Sequence, residues 1–371
     1  MQRTIVDYLR AVISAGGSDL HLTVGMPPAV RVHGDIIPLE AEILTEDALY
    51  DMLLGVLTDT QRARLEEHLE LDFALAIDGI GRFRGNAHFI RGAAEATFRH
   101  ILEEIPNLES LGHEPAVQQL CHMKDGLVLV TGITGSGKSS SLAAMIDYIA
   151  RTHRKVIISI EDPVEFVFKH STSLIKQREV GTDTHGFAPA LKHALRQDPD
   201  VIMVSELRDM ETIQAAITAA ETGHLVLGTL HTIDAPRTLD RLIDVFPHDQ
   251  QSQIVAQLAN CLRAVISQRL VKAAEPGKRV LAEEIMLVNH SIRNCIRDLK
   301  FEQIDGLIEI GRQEGMFTID YHLCELIKRG KITVEEAYLN SRDTTVIDTY
   351  MLEVNKAVSY THLTLPTKRI V

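Results

Sequence analysis

Residues Gly132–Ser139 read GITGSGKS, and this stretch decides the fold of the 371-residue chain. It matches the pattern G-x-x-x-x-G-K-[ST] without a mismatch, between an apolar strand predicted over Leu127–Thr131 and a helix predicted over Ser139–Ala150. In such a loop, glycines let backbone N–H groups wrap a phosphate, and the N-terminus of the helix adds the positive end of its dipole. The stretch therefore predicts a phosphate-binding loop (P-loop). The alternative is a chance Gly-rich turn, which the order of strand, loop and helix argues against.

The side chains of the P-loop have distinct predicted roles in binding ATP and Mg²⁺. Lys138 is expected to reach the β- and γ-phosphates, and the Ser139 hydroxyl is expected to complete the Mg²⁺ shell. The predicted nucleotide-binding residues of the loop and of the helix that follows are Gly132, Thr134, Gly135, Ser136, Gly137, Lys138, Ser139 and Ser140.

A P-loop enzyme also needs carboxylates that hold Mg²⁺ and orient the attacking water. Glu161 and Glu206 each follow a predicted apolar strand, Val156–Ile160 and Val201–Ser205 respectively. Ligands of open parallel sheets bind outside the carboxyl ends of the strands. We therefore predict Glu206 as the Walker-B acid and Glu161 as the second metal- or water-orienting carboxylate.

The predicted metal ligands are thus Ser139, Glu161 and Glu206, with Lys138 and the two glutamates as catalytic residues. Asp162 or Glu165 could share the second carboxylate's role. The alternative is that these acidic residues only cap the helices that follow them.

Two histidines flank the strand predicted at Leu225–Leu230. His224 precedes it and His231 follows it, and an imidazole at a strand end can bind a γ-phosphate and respond to its loss. Both are predicted as catalytic, with a purely structural role as the alternative.

A strip of arginines occupies one face of the strand predicted at Gly81–Arg91. Arg82, Arg84, Asn86 and His88 alternate with apolar residues, and Arg99 follows further along the chain. The sequence offers these arginines no matching acids, so they could face the oxygens of a triphosphate; an arginine supplied by another subunit can give roughly 10³–10⁵ in rate. A solvated polar face and a surface for single-stranded nucleic acid are the alternatives.

Composition limits the classes of function. Lys and Arg number 38 against 51 Asp and Glu, and the resulting net charge of −13 argues against general binding to nucleic acid or anionic membrane. No apolar run approaches the roughly 20 residues of a membrane span, and the N-terminus does not read as a signal peptide. The four cysteines form no C-x-x-C pair, which indicates buried free thiols in a reducing compartment. We expect a soluble, cytoplasmic protein.

Five segments are predicted along the chain. Residues 1–100 form a small α+β domain, 101–122 a linker, 123–290 an α/β domain with a parallel sheet, 291–357 a helical section, and 358–371 a tail that resembles the translation of a sequencing adaptor. In the first domain we predict a helix to Ala15, strands at Asp19–Val24, Ala29–Val32 and Ile36–Leu39 around the turn His33-Gly34-Asp35, a helix over Glu46–Glu70, and a hairpin of Phe73–Ile77 with Gly81–Arg91. In the second we predict a further strand at Val280–Met286 and helices at Ala188–Arg196 and Glu211–Ala220.

Taken together, the motifs resemble those of the PilT-type retraction ATPases of type IV pili, within the secretion ATPase superfamily. The resemblance covers about Thr4 to about Tyr350. It is carried by Ala15–Leu22, Arg82–Asn86, the P-loop, Glu161–Glu165, Gln177–Gly181, Leu195–Asp200, Ala220–Thr232, Asp244–Pro247 and Ser291–Asp298. Two departures are Ile133, where the family usually has Pro, and Ser205, where it usually has Gly.

The resemblance implies a PAS-like N-terminal domain, a RecA-like ATPase domain and a homohexamer with ATP bound between domains. By the same analogy Arg82, Arg84 and Arg99 face the triphosphate, His231 senses it, and Arg293 and Arg297 lie on a helix needed for retraction. The implied partners are an inner-membrane platform protein of the pilus and a paralogous pilus ATPase, at the inner face of the cytoplasmic membrane, with no nucleic acid. The alternatives are a pilus-extension or type II secretion ATPase, a RecA-like nucleic-acid translocase and a non-enzymatic nucleotide-gated regulator.

Overall fold

The computed structural model describes residues 3–32, 35–101 and 104–352, and it divides the chain into two compact units. The first unit comprises Met1–Ile105 with Pro163–Val167, and the second comprises Pro106–Asp162 with Phe168–Val371. The residues His33 and Gly34 of the predicted turn and the tail 358–371 lie outside the described residues.

The first unit is a six-stranded antiparallel sheet with three helices. The helices are α1 (Ile5–Ser14), α2 (Glu46–Leu54) and α3 (Asp59–His68). The strands are β1 (Asp19–Leu22), β2 (Ala29–Val32), β3 (Asp35–Pro38), β4 (Glu70–Ile77), β5 (Gly81–Ile90) and β6 (Ala93–Ile101), in the order β3-β2-β1-β6-β5-β4. The α+β class predicted for this part of the chain is confirmed, and so is the hairpin of β4 with β5.

One prediction for the first unit was wrong, and one strand was missed. The single helix expected over Glu46–Glu70 is two helices, because α2 ends at Leu54 with Gly55 as its C-cap, and Thr58 caps the start of α3 with a capping box to Gln61. Strand β6 was not predicted, because its inward positions include the small residues Ala94 and Ala96, which give a weak apolar alternation.

The second unit is a seven-stranded sheet with helices. Its strands are β7 (Gly126–Thr131), β8 (Val156–Glu161), β9 (Leu174–Glu179), β10 (Val201–Val204), β11 (Leu225–Leu230), β12 (Leu262–Lys272) and β13 (Arg279–Leu287). Its helices are α4 (Leu108–Leu111), α5 (Pro115–Leu120), α6 (Lys138–Thr152), α7 (Phe187–Ala194), α8 (Met210–Glu221), α9 (Ala235–Asp244), α10 (His248–Cys261), α11 (His290–Arg297), α12 (Ile304–Ile310), α13 (Ile319–Lys328) and α14 (Val334–Asn340). Residues 344–352 are also helical.

The strand order of this sheet is β13-β12-β7-β11-β10-β8-β9, and the strands from β12 to β9 are parallel. Every residue of β7, β10 and β11 is buried, so the centre of the sheet is covered on both faces. The α/β class with a RecA-like core is thereby confirmed.

The edges of the sheet differ from the prediction. The strand expected at Val280–Met286 is β13, but it runs antiparallel to β12, because the short turn at residues 273–278 joins the two as a hairpin. Strands β9 and β12 were not predicted. The former is an edge strand with Lys, Gln and Arg in its middle, and the latter follows α10 without an intervening turn residue.

Candidate nucleotide-binding site

The P-loop leads from β7 into α6, as the sequence predicted. Three of its glycines, Gly132, Gly135 and Gly137, have positive φ angles of 144°, 79° and 93°. A Cβ atom on Gly132 would lie 2.5 Å from the carbonyl oxygen of Gln268 and 2.5 Å from Oγ of Ser136. The loop therefore requires glycine at this position both for its backbone angle and for the space beside it.

Lys138 is only 9% exposed, and its ammonium group folds back over the loop. Its Nζ atom donates hydrogen bonds to the carbonyl oxygens of Gly132 (2.8 Å) and Ile133 (3.0 Å). A buried cation beside turning backbone N–H groups is the arrangement that binds phosphate oxygens.

Two hydroxyl groups of the loop fit a bound nucleotide with its metal. The Oγ atom of Ser136 is buried and has no hydrogen-bond partner among the described residues, so it is a polar atom that a phosphate oxygen would satisfy. Ser139 is exposed in the first turn of α6. Hydroxyl and carboxylate oxygens are the ligands that Mg²⁺ prefers.

Four neighbouring parallel strands end at the same edge of the sheet as the P-loop. The pairing brings Thr131 of β7 beside Leu230 of β11, Gly228 of β11 beside Val204 of β10, and Val204 beside Ile160 of β8. The residues that follow or end these strands are Gly132–Ser139, His231, Glu206 and Glu161. The structure thus brings Lys138, His231, Glu206 and Glu161 to one edge of the second unit.

Glu206 contacts two basic side chains. Its Oε1 atom lies 2.7 Å from Nε of Arg208 and 3.1 Å from Nε2 of His231, and the glutamate side chain is 19% exposed. Partial burial raises the pKa of Glu206, but the hydrogen bond and charge of Arg208, together with His231, outweigh burial and hold that pKa below its usual value. The carboxylate is therefore ionised at neutral pH.

Sequence reasoning missed Arg208. It follows Glu206 by two residues in a loop, and no spacing rule links side chains two apart outside a strand. The available signal was its place in the same strand-end loop as the predicted Walker-B acid.

Glu161 is buried, at 3% exposure, at the end of β8. Its Oε1 atom accepts hydrogen bonds from the Ser159 hydroxyl (2.6 Å) and from the Gln177 amide (3.0 Å). These contacts fix the orientation of the carboxylate. Asp162, which follows, is exposed, whereas Glu165 belongs to the first unit.

Ser205, the departure next to Glu206, is held by main-chain contacts. Its N–H donates to the carbonyl oxygen of Ile160 (3.0 Å), and its own carbonyl oxygen accepts from the Thr229 hydroxyl (2.5 Å). Its backbone thus lies between β8 and β11, and it fixes the point from which Glu206 projects.

The structure does not bring His224 to this edge. It lies before the start of β11, where its carbonyl oxygen accepts from Gly126 N–H at the start of β7. Its Nδ1 atom contacts the carbonyl oxygen of Ala219 (2.9 Å) and the Thr222 hydroxyl (3.2 Å). The position is at the opposite end of the strands from Lys138, so we omit His224 from the proposed site.

The arginine strip lies in the first unit, on β5 and β6. Phe83, Gly85 and Ala87 are buried and Arg84 is exposed, which confirms the predicted alternation. Arg84 and Arg99 are direct cross-strand neighbours. The expectation that the arginines lack acidic partners was wrong for Arg99, whose Nε donates to Oδ1 of the buried Asp19 at 2.8 Å.

The cysteines are buried and free, as the sequence indicated; they are Cys121, Cys261, Cys295 and Cys324.

Across the described part of the chain, the helices are all too short or too polar to cross a membrane.

Comparison with known proteins identifies relatives along almost the whole chain. The family described as type II/IV secretion system protein matches residues 84–361. The chain is 45% identical to the type IV pilus retraction ATPase PilT of Pseudomonas aeruginosa over 333 residues, which are 90% of this chain and 96% of that protein. It is 44% identical to a twitching motility protein of Neisseria gonorrhoeae, with 84% of this chain and 83% of the relative covered.

A solved structure also resembles this fold. The crystal structure of the pilus retraction motor PilT with bound ADP superposes with a TM-score of 0.87 at 46% identity, covering 92% of this chain and 98% of that one.

Proposed function

The chain belongs to the type II/IV secretion system protein family, and from that premise we propose that it is a hexameric, ATP-hydrolysing motor that powers the retraction of type IV pili. Relatives named as a pilus retraction ATPase and a twitching motility protein, and a retraction motor with bound ADP, support this function. The nucleotide is ATP, and ADP is its product.

The observation that carries the proposal is the shared edge of the sheet. Four adjacent parallel strands deliver a P-loop lysine, a histidine and two glutamates to it. Hydrolysis by in-line attack of water needs little covalent help, so positioning and electrostatics supply most of the rate enhancement. A cation for the phosphates and carboxylates for water and metal are the groups that this reaction requires.

We assign the roles as follows. Lys138 binds the β- and γ-phosphates, and the backbone N–H groups and hydroxyls of the P-loop surround them. Ser139 with Glu206 holds Mg²⁺, which when bound neutralises charge on the phosphate oxygens. Glu161 orients water or the metal's water ligands. His231, beside Glu206, responds to the γ-phosphate, and Arg82, Arg84 and Arg99 supply further positive charge to the phosphates in the assembled ring.

The remaining parts of the proposal concern location and partners. The motor acts at the inner face of the cytoplasmic membrane on a pilus platform protein, and a paralogous pilus ATPase is a further partner. The residues 1–100 and 123–290 correspond to a PAS-like and a RecA-like domain, with the helical section 291–357 after them.

Phosphate release by the purified chain tests the enzymatic part. Lys138→Ala is expected to lower kcat by at least about a hundredfold, because it removes the buried cation that contacts the phosphates. The matched control is Lys124→Ala, an exposed lysine shortly before β7. Near-normal release by the Lys138→Ala variant would refute the site assignment.

A deletion strain tests the direction of the motor. Loss of the retraction motor leaves cells with excess, unretracted pili and no twitching. Cells without any pili would instead identify an extension motor. Stimulation of phosphate release by DNA would favour the nucleic-acid translocase that the sequence left open.

A further inference from the structure

A buried network of hydrogen bonds adjoins the P-loop and includes residues that the proposed mechanism does not use. It connects Ser141 of α6, His113 of the segment between α4 and α5, Gln268 of β12 and Glu283 of β13 (the "buried relay"). Ser141, His113 and Glu283 are essentially without solvent exposure. Four separate parts of the chain thus meet at one point in the second unit.

The hydrogen bonds of the buried relay all run in one direction, from Gln268 through Ser141 and His113 to Glu283. The Gln268 amide donates to Oγ of Ser141 (2.7 Å), and the Ser141 hydroxyl donates to Nε2 of His113 (2.8 Å). Nδ1–H of His113 then donates to Oε2 of Glu283 (2.7 Å), while the other carboxylate oxygen accepts from Glu114 N–H (2.9 Å). The neutral form of His113 with its proton on Nδ1 is assigned from these contacts, because it lets each hydrogen bond form.

A serine, a histidine and a carboxylate in this order have the geometry of a nucleophile activated by a base. Their burial excludes that role, because no substrate reaches Ser141. A buried hydrogen-bonded network instead rigidifies the elements it joins, and within the relay Oε1 of Gln268 is the atom left without a partner among the described residues. The question is therefore which element the network fixes.

The buried relay contacts both ends of the P-loop. Ser141 is in the first turn of α6, three residues after Lys138, and its N–H closes that turn on the carbonyl oxygen of Gly137 (3.0 Å). At the other end, the Gln268 carbonyl oxygen lies against Gly132, so close that a Cβ atom there would be 2.5 Å away. Gln268 and Glu283 are direct cross-strand partners in the hairpin of β12 and β13.

We propose that His113 and Glu283 are positioning residues for ATP hydrolysis, which act through Ser141 to hold the first turn of α6, and with it Lys138 and Ser139, in the orientation that the phosphates require. The inference rests on the function proposed above. A displacement of about 1 Å at a reacting centre can cost about a hundredfold in rate, so a weakened relay lowers turnover more than binding.

The test compares Ser141→Ala with Ser141→Thr, measuring phosphate release per nucleotide-binding site, affinity for a fluorescent ADP analogue, and thermal unfolding. Ser141→Ala removes the hydroxyl but leaves the His113–Glu283 pair intact, and we expect kcat to fall at least about tenfold with little change in ADP affinity. Ser141→Thr keeps the hydroxyl and is expected to restore most of kcat.

The matched control is Ser173→Ala. Ser173 is also buried, and its hydroxyl donates to the His153 carbonyl oxygen (2.6 Å) and accepts from Lys155 N–H (3.0 Å), away from the relay. It is expected to lose stability as Ser141→Ala does but to keep its kcat per site.

A second variant, His113→Gln, keeps a polar side chain beside Glu283. His113→Gln and Ser141→Ala interrupt the same series of hydrogen bonds. The double variant should therefore be no slower than the slower of the two single variants. The proposal is overturned if Ser141→Ala and His113→Gln unfold at lower temperature yet turn over at the wild-type kcat per site. If the wild-type chain itself releases no phosphate, the proposed function fails, and that failure is seen before any variant is made.

Discussion

At the scale of single residues, the surroundings of Glu206 determine the ionisation of a carboxylate that the proposed reaction needs. Arg208 and His231 both contact Oε1 of its carboxylate, and their combined effect lowers the pKa of Glu206 in spite of partial burial. The Walker-B role proposed for Glu206 needs a carboxylate, so this environment keeps the side chain in the required form over a wider range of pH. Arg208 is exposed for much of its length, so it is a side chain that can be changed without leaving a buried cavity.

We predict that Arg208→Gln moves the acid limb of the kcat profile to higher pH. The sign follows from the lowered pKa: wild-type Glu206 stays ionised to a lower pH than an ordinary glutamate does, and removal of the arginine raises its pKa. Phosphate release measured from about pH 4 to about pH 8 checks this. Arg151→Gln, which alters an exposed pair with Asp147 on α6, is the control. Coincident acid limbs in wild type and the Arg208 variant would contradict the prediction.

At the scale of elements, the strand–loop–helix unit formed by β7, the P-loop and α6 depends on a close approach to β12. Gly132 contacts the Gln268 carbonyl oxygen and adopts a φ angle of 144°. Gly135, in the same loop, also has a positive φ angle but has no atom within 4 Å of a Cβ position. Gly132 therefore combines a positive φ angle with steric overlap, whereas Gly135 has a positive φ angle alone.

We predict that Gly132→Ala weakens nucleotide binding by at least about tenfold and destabilises the second unit by about 1–3 kcal/mol, whereas Gly135→Ala has the smaller effect on both. Only Gly132→Ala forces β12 and the loop apart, because only there would the added methyl group overlap backbone. Titration with a fluorescent nucleotide and thermal unfolding measure the two effects. Equal losses of nucleotide affinity and of stability in the two variants would contradict the steric argument.

Another connection between elements joins β13, α9 and the residues after α14. Glu284 of β13 is buried, accepts from Ala235 N–H at the start of α9 (3.0 Å), and pairs with Arg342. Arg342 also lies within ion-pair distance of Asp234 (3.3 Å) and Asp305 (3.4 Å). Burial raises the pKa of Glu284 to about 7, although Arg342 opposes the shift.

The raised pKa predicts a loss of stability as pH increases. A carboxyl group whose pKa is about 7 when folded and 4.5 when unfolded favours folding fully below the lower value, and it loses about 3 kcal/mol as pH rises through the higher one. Glu284→Gln cannot ionise, so its stability relative to wild type should increase between about pH 5 and about pH 8. Glu302→Gln, at an exposed position, is the control. Denaturant unfolding at each pH measures the difference, and a constant difference would contradict the argument.

Strands β7, β8, β10 and β11 were predictable from sequence, whereas β9 and β12 were missed and the direction of β13 was not predicted. Strands β7, β10 and β11 are continuous apolar runs that end in recognisable loops, so their positions and the shared edge follow from the pattern. Strand β9 carries polar residues because an edge strand is half solvated, and β13 pairs antiparallel because of a hairpin that its composition does not reveal. The contacts of Glu206 with Arg208, and of Ser141 with His113, join residues through tertiary packing, which no local period encodes.

At the scale of the whole molecule, the proposed function requires a ring of identical chains. The second unit supplies the P-loop and the carboxylates, while Arg84 and Arg99 lie on the sheet of the first unit. Among the described residues, Arg99 pairs with Asp19 and no ion pair is seen for Arg84. Two like charges opposite one another across strands are unfavourable without a further anion. A triphosphate would supply that anion, and in a ring it can belong to a neighbouring subunit.

Mixing two inactive variants tests whether the arginines act between subunits. Lys138→Ala keeps Arg84 but has no working P-loop, and Arg84→Gln keeps the P-loop but lacks one arginine. In rings assembled from equal amounts of both, about a quarter of the interfaces combine an intact P-loop with an intact arginine, so the mixture should recover up to about a quarter of wild-type phosphate release. Rings of each variant alone, taken through the same dissociation and reassembly, give the baseline. A mixture no faster than the average of the two would mean that Arg84 acts within its own chain or does not contact the phosphates.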